Sequence, residues 1–217
     1  MKTVRLLLIS ALVLFSGELA YASPNAKTAH AQYEELSAKV RSGDATVDWQ
    51  SLRIAAEVAG VEGNYDMQEA NKLGIKAFNA GDFNQSLKIA NEMLDHNIAD
   101  GDAHFLAMIS FRRLGRTTEA DKEQALLDAY FQSIMKSGDG KSAATALYTV
   151  NVHEEYLVIR LLMHLNFKSQ ALAHQSGHYY DVMTVADDSG QETKLWFNTD
   201  LSMESMNAAL KSGSGKN

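Results

Sequence analysis

The sequence predicts an α+β protein in which helical hairpins are followed by a small C-terminal antiparallel sheet. Three observations predict it. Residues 28–134 repeat apolar positions at helical spacing between glycine turns. Residues 169–200 instead form short segments separated by two hairpin-type turn signals. Proline occurs only at Pro24, so nothing breaks the helical run.

The chain opens with Lys2 and Arg5, then "LLLISALVLF", then "GELAYAS". A basic start, an apolar middle and a small-residue exit predict a secretory signal peptide over 1–22, cut after Ala22. The apolar run is short for a bilayer span. No cysteine follows it, which excludes a lipoprotein anchor. A soluble periplasmic protein is expected, with no integral membrane segment once the signal is removed. The absence of cysteine also excludes disulfides, thiol catalysis and cysteine-based metal sites. Residues 1–22 carry Lys2, Arg5 and Glu18, so the remainder has a net charge near −8 (−7 less +1). With no basic run longer than Arg112-Arg113, nucleic acid is not an expected partner.

Residues 23–46 read as a linker and a first helix, Thr28 to Arg41, stopped at Gly43-Asp44. Residues 47–136 form the helical hairpin region. Asp48 is a natural cap for "WQSLRIAAEVAGV", whose Trp49, Leu52, Ala56 and Ala59 share a face. Further on, Leu73, Ala77, Gly81 and Ser86 align with Ala107, Phe111, Gly115 and Ala120 at a spacing of 34. Small residues flanking a glycine turn suit closely crossing helices, and the spacing is that of tetratricopeptide-type hairpins. Ala70 and His104 stand where that repeat carries a large aromatic, and its closing proline is missing in both copies, with Ile98 in its place in the first.

Residues 137–212 are assigned to the sheet and a closing helix. "ALYTVNVHEEYLVIRLLMHLNF" alternates and is rich in β-branched and aromatic residues, which predicts one or two strands, with a helix left open for the Leu-rich part. "SQALAHQ", "HYYDVMTVADD" and "ETKLWFNTD" follow, separated by Ser176-Gly177 and Asp188-Ser189-Gly190, and predict a meander. "LSMESMNAALKS" closes the unit as a helix, and 213–217 is a frayed tail.

The stretch that looks most like chemistry is "SGDGKS" at 137–142. A phosphate loop needs a glycine five positions before Gly140, where Met135 stands, and a preceding strand, where a helix pattern lies. It reads as a turn. Glu154-Glu155 would face opposite sides of a strand, and Leu157 breaks any HExxH zinc motif begun by His153-Glu154. His174 and His178 flank a turn but lack a third ligand. Trp196 is expected to pair with Tyr179 or Tyr180 within the sheet. No cofactor is implied.

Asp48-Trp49-x-x-Leu52-Arg53, "SGDGKS", "VNVHEEY" at 150–156, "YDVMTV" at 180–185 and "LWFN" at 195–198 together resemble domain-of-unknown-function family 4919, a group of exported bacterial proteins. "RIAAEVAGVEGNYD" departs from it, lacking the aromatic and proline such members tend to carry there. The resemblance implies an exported helix-plus-sheet protein and no particular reaction. The polar members of the matched motifs are Arg53, Asp139, Lys141, Ser142, Glu155 and Tyr156. They are the expected binding or structural joint, with Lys141 or Arg53 pairing with Glu155. The favoured expectation is a non-enzymatic adaptor presenting a helical-repeat surface to a protein or peptide. The alternatives are a metal-independent hydrolase using Glu154 or Glu155 with His153 or Lys141, or a small-ligand binder.

Overall fold

The structure, a computed structural model, describes residues 25–213. The expected signal peptide and most of the expected tail therefore lie outside the described residues. Each of the first five helices begins at a short polar side chain that accepts a hydrogen bond from the third residue beyond it. Asn25 caps α1 (Ala26–Arg41), Asp48 caps α2 (Trp49–Ala59) and Asp66 caps α3 (Met67–Asn79). Asp82 caps α4 (Phe83–His96) and Asp100 caps α5 (Gly101–Arg113). Each such cap stabilises its helix by ~1 kcal/mol. α6 (Thr117–Met135) has no side-chain cap bond.

α1 buries Ala29, Tyr33, Ser37 and Val40, spaced three or four apart, and packs that stripe on α2. The face predicted for α2 is the buried one, with Trp49, Leu52 and Ala56 all below 5 % exposed. α3 and α5 are each 13 residues long and start 34 residues apart, at Met67 and Gly101. α4 and α6 start at Phe83 and Thr117, the same offset. The aligned glycines Gly81 and Gly115 make the two turns with φ of 82° and 74°, a region closed to most side chains. In the buried layer between α4 and α5, Ser110 Oγ donates to Ser86 Oγ at 2.9 Å.

The chain then changes architecture. A single 3₁₀ turn (Ala143–Thr145) leads into β1, which is only Leu147–Tyr148. The expected strands over 150–163 are not there: α7 (Val152–Leu157) runs directly into a π-helical turn (Val158–Leu162). Leu157, Val158 and Ile159 are buried in succession, which alternation cannot provide but a helix end wedged between two layers can. β2 (Asn166–Gln175), β3 (His178–Ala186) and β4 (Glu192–Asn198) form the expected antiparallel meander. Ser176 and Gly177, at φ 54° and 87°, form its first turn. β1 adds beside β4 in parallel, so the sheet is mixed, in the order β1-β4-β3-β2. α8 (Asp200–Gly213) follows β4.

β2 is the outer strand, exposed along its whole length except at Ala173. A register shift between Phe167 and Ser169 leaves Lys168 as an extra residue in it. The opposite happens on β3 and β4, where Met183, Val185, Leu195 and Phe197 join Leu157, Ile159 and Ile134 in one continuous apolar core. Helices and sheet are thus two layers on a single core, with α7 at the joint. The expected aromatic pair is present as Tyr180 and Trp196, edge to face at 5.8 Å.

Candidate functional site

The joint is built around the first turn of α7. Asn151 caps it by accepting from the N–H of Glu154 at 3.1 Å, which turns the Glu154 side chain inward. Opposite lies Arg53, in the middle of an unbroken buried run from Ser51 to Ala56. Arg53 Nη1 donates to Glu154 Oε2 at 2.5 Å, and the Val150 N–H donates to the same oxygen at 2.9 Å. The guanidinium carbon sits 5.6 Å from the centre of the Tyr130 ring. Burial, and then the Glu154 charge, push the Tyr130 phenol well above its usual range. Arg53 is 1 % exposed, and its Nε and Nη2 find no hydrogen-bond partner among the described residues. An unmet buried donor costs ~1–3 kcal/mol, so these two N–H groups are a demand left open.

The next residue points elsewhere. Glu155 is fully buried against the sheet, where Thr149 Oγ1 donates to its Oε1 at 3.4 Å. Its carboxyl meets Asp181 of β3, which is itself held by Gln170 Nε2 at 2.6 Å. Burial first, and the Asp181 charge second, raise Glu155 to about 9. At neutral pH it is therefore a carboxylic acid, uncharged beside Asp181. Tyr156, third in line, packs its ring 5.1 Å from Phe167. One turn of α7 thus sends consecutive side chains to the helical layer, the sheet and the groove described below.

The expected pairing of Arg53 or Lys141 with Glu155 is corrected on both counts. Arg53 pairs with Glu154, and Lys141 stands in solvent, 3.1 Å from Asp139 of its own turn. The Thr145 hydroxyl, then the Lys141 N–H and ammonium, hold Asp139 down to about 2. Ser142 Oγ lies 3.0 Å from Thr145 Oγ1. "SGDGKS" is a structural turn: Gly140 N donates to Thr145 O at 2.7 Å, and Trp196 N donates to Gly140 O at 2.8 Å. A Cβ on Gly138 would meet the Thr145 carbonyl carbon at 2.7 Å and the Ala146 oxygen at 2.8 Å. Of the six expected site residues, Arg53, Glu155 and Tyr156 gather at α7, whereas Asp139, Lys141 and Ser142 lie in this separate turn.

Beside the Arg53–Glu154 pair opens a cleft of about 630 Å³. The end of α2, the 60–66 connection, the start of α5 and α7 form its walls. Two carboxylates in it are each anchored through one oxygen. Asn151 Nδ2 donates to Glu57 Oε2 at 3.0 Å, and Asn97 Nδ2 donates to Glu62 Oε1 at 2.9 Å. A third, Asp100, accepts from Ala103 N at 2.7 Å. Burial, then the Asp102 charge, raise Asp100 to about 7, and burial raises Glu57. Asp102 is pinned between Arg160 Nη2 at 2.9 Å and His153 Nε2 at 2.6 Å, and its bond raises His153. A second groove of about 760 Å³ shares Asp66, Gln68, His153 and Tyr156 with the first and continues along α3 past Lys72 and Ile75.

Sequence analysis missed Glu57, Glu62, Asp100 and Asp102. The available signal was "ADGDAH" at 99–104, a capping aspartate followed two residues later by another. Three further histidines have partners elsewhere. His104 is buried with Nδ1 2.7 Å from Glu123 and Nε2 2.8 Å from Ile98 O. His178 Nδ1 lies 2.6 Å from Asp200, while the His174 ring lies tilted against Tyr179, 4.6 Å between centres. Among the described residues no group of three or more acidic or histidine side chains is placed to hold a metal ion. No helix among them is long and apolar enough to cross a membrane.

These features define an α+β protein whose helical hairpins and small mixed sheet are joined at a polar cleft. The chain belongs to the family described as Domain of unknown function (DUF4919), which it matches over residues 27–207. No match was found among curated proteins or among solved structures.

Proposed function

We propose that this is an exported, non-enzymatic binding protein of the periplasm that takes a peptide or protein segment in the groove between α3 and α7. The observation that carries this is the continuity of the two clefts across Asp66, Gln68, His153 and Tyr156. Together they make a channel open along one helix and closed at its inner end by buried polar groups, a shape suited to an extended chain end. The apolar Ile75 and Tyr156 and the polar Gln68 and Lys72 offer both side-chain contacts and hydrogen bonds along it. The leader-like residues 1–22 support export.

Photo-crosslinking residues placed at Gln68 and Lys72 test the reading in envelope extracts. Peptide adducts at both positions, absent from control positions on the outer face of α1, are expected. Adducts equally frequent on α1 would overturn it. A metal-independent hydrolase is the second reading, favoured by His153 held against Asp102 at 2.6 Å on the rim of the same cleft. Recovery of cleaved rather than intact peptide would select it. The N-terminal residue of the protein purified from the periplasm checks export, with Ser23 expected.

A further inference from the structure

Two kinds of group line the cleft without a partner in the chain: carboxylate oxygens open to a donor, and buried guanidinium N–H groups with no acceptor among the described residues. Glu57 and Glu62 each have one carboxylate oxygen fixed by an asparagine amide, and Asp100 has one fixed by the backbone. Their second oxygens hold no hydrogen bond to any described residue. All three line the same cleft. Each is close enough to another acidic group to feel its charge: Glu57 senses Glu62, and Asp100 senses Glu62. Arg53 cannot neutralise them, since its charge is engaged by Glu154. Its Nε and Nη2 nevertheless remain unpartnered at 1 % exposure, in a residue that lines the cleft.

A bare metal cation does not suit this set, because the acids are not grouped as ligands. An organic ammonium is larger, donates in three directions and tolerates carboxylates spread around it. Arg53 requires in addition an acceptor oxygen beside that ammonium. The amino terminus of a peptide has this chemistry: an ammonium followed, three bonds on, by a carbonyl oxygen. A lysine side chain carries the ammonium without the adjacent carbonyl.

We propose that the cleft is an amino-terminus receptor, with Glu57, Glu62 and Asp100 accepting from the α-ammonium and Arg53 donating to the first carbonyl. The inference rests on the groove being the peptide site, and it fixes the polarity of the bound segment, amino end innermost.

The test uses three equimolar tetrapeptide pools, all amidated at the C-terminus. The first has free amino termini, the second is N-acetylated and lacks lysine, and the third is N-acetylated and contains lysine. Each is incubated with the purified protein, and retention on ultrafiltration is read by mass spectrometry. The expected result is at least tenfold greater retention of the first pool than of either acetylated pool. The Glu57→Gln/Glu62→Gln variant, with unchanged circular dichroism, is expected to lose that preference. Equal retention of all three pools overturns the amino-terminus inference while leaving the groove as a peptide site. Preference for the lysine pool over the first also overturns it, assigning the acids to a side-chain amine. Retention of no pool overturns both.

Discussion

Arg53 and Glu154, 101 positions apart in the chain, meet at 2.5 Å with their side chains only 1 % and 6 % exposed. Removing one partner strands the other charge in the interior, which costs about 3–5 kcal/mol. Arg53→Met and Glu154→Leu should each lower stability by about that amount, measured by urea denaturation. The double variant should lose less than the sum, because nothing charged is left unpaired. Additive losses would show that the two residues are not coupled.

The Glu155–Asp181 contact makes a statement about pH. Glu155 titrates near 4.5 in the unfolded chain and near 9 in the folded protein. Between those values the folded state holds the extra proton, so stability falls as pH rises, by up to about 1.4 kcal/mol per pH unit. Glu155→Gln keeps a donor facing Asp181 at every pH. Its unfolding free energy should therefore change less than that of the wild type between pH 5 and 9. Parallel curves would contradict the protonated pair. Glu155→Ala, which removes the donor altogether, should lower the melting temperature.

Two neighbours in "SGDGKS" should behave oppositely. Gly138→Ala drives a methyl group into backbone that cannot move aside, and a loss of about 1–3 kcal/mol or more is expected. Lys141→Ala removes an 81 % exposed side chain paired only within its own turn, so its effect should stay within about 0.5 kcal/mol. Thermal denaturation of both variants reads the contrast. A large effect at Lys141 would reopen a functional role for this turn.

His153 is raised by its bond to Asp102, an effect that opposes its partial burial. The charged imidazole should therefore persist above the ordinary midpoint of 6.5. Its contribution to stability is full below that midpoint and is lost as pH rises through the higher folded value. The imidazole C–H resonance followed by NMR should titrate above 6.5 in the wild type and lower in Asp102→Asn. A midpoint unmoved by that substitution would remove Asp102 as the cause.

Much of this fold was legible because it is encoded locally. The Asp48 cap, the glycines at 81 and 115 and the turn at Ser176-Gly177 each act within a few residues. The segment 150–163 was read as strand because its apolar residues are Leu, Val, Ile and Tyr in near alternation. What decides it is Asn151 three positions before Glu154, a capping pair that starts a helix. That helix then ends in a π turn, where buried Val158 and Ile159 fill the space between the two layers. The candidate site was only half legible. Arg53 and Tyr156 lie in motifs, but Glu57 comes from the end of α2, Glu62 from the 60–66 connection and Asp100 from the cap of α5, and only the tertiary packing of α2, α5 and α7 brings them to one cleft.

β2 leaves one long strand edge facing solvent, and such an edge is a template on which another chain can crystallise into fibrils. Lys168 sits at the point where β2 slips register, so an incoming strand would find both a broken ladder and a positive charge in its path. That single lysine is a safeguard of solubility written into the strand itself.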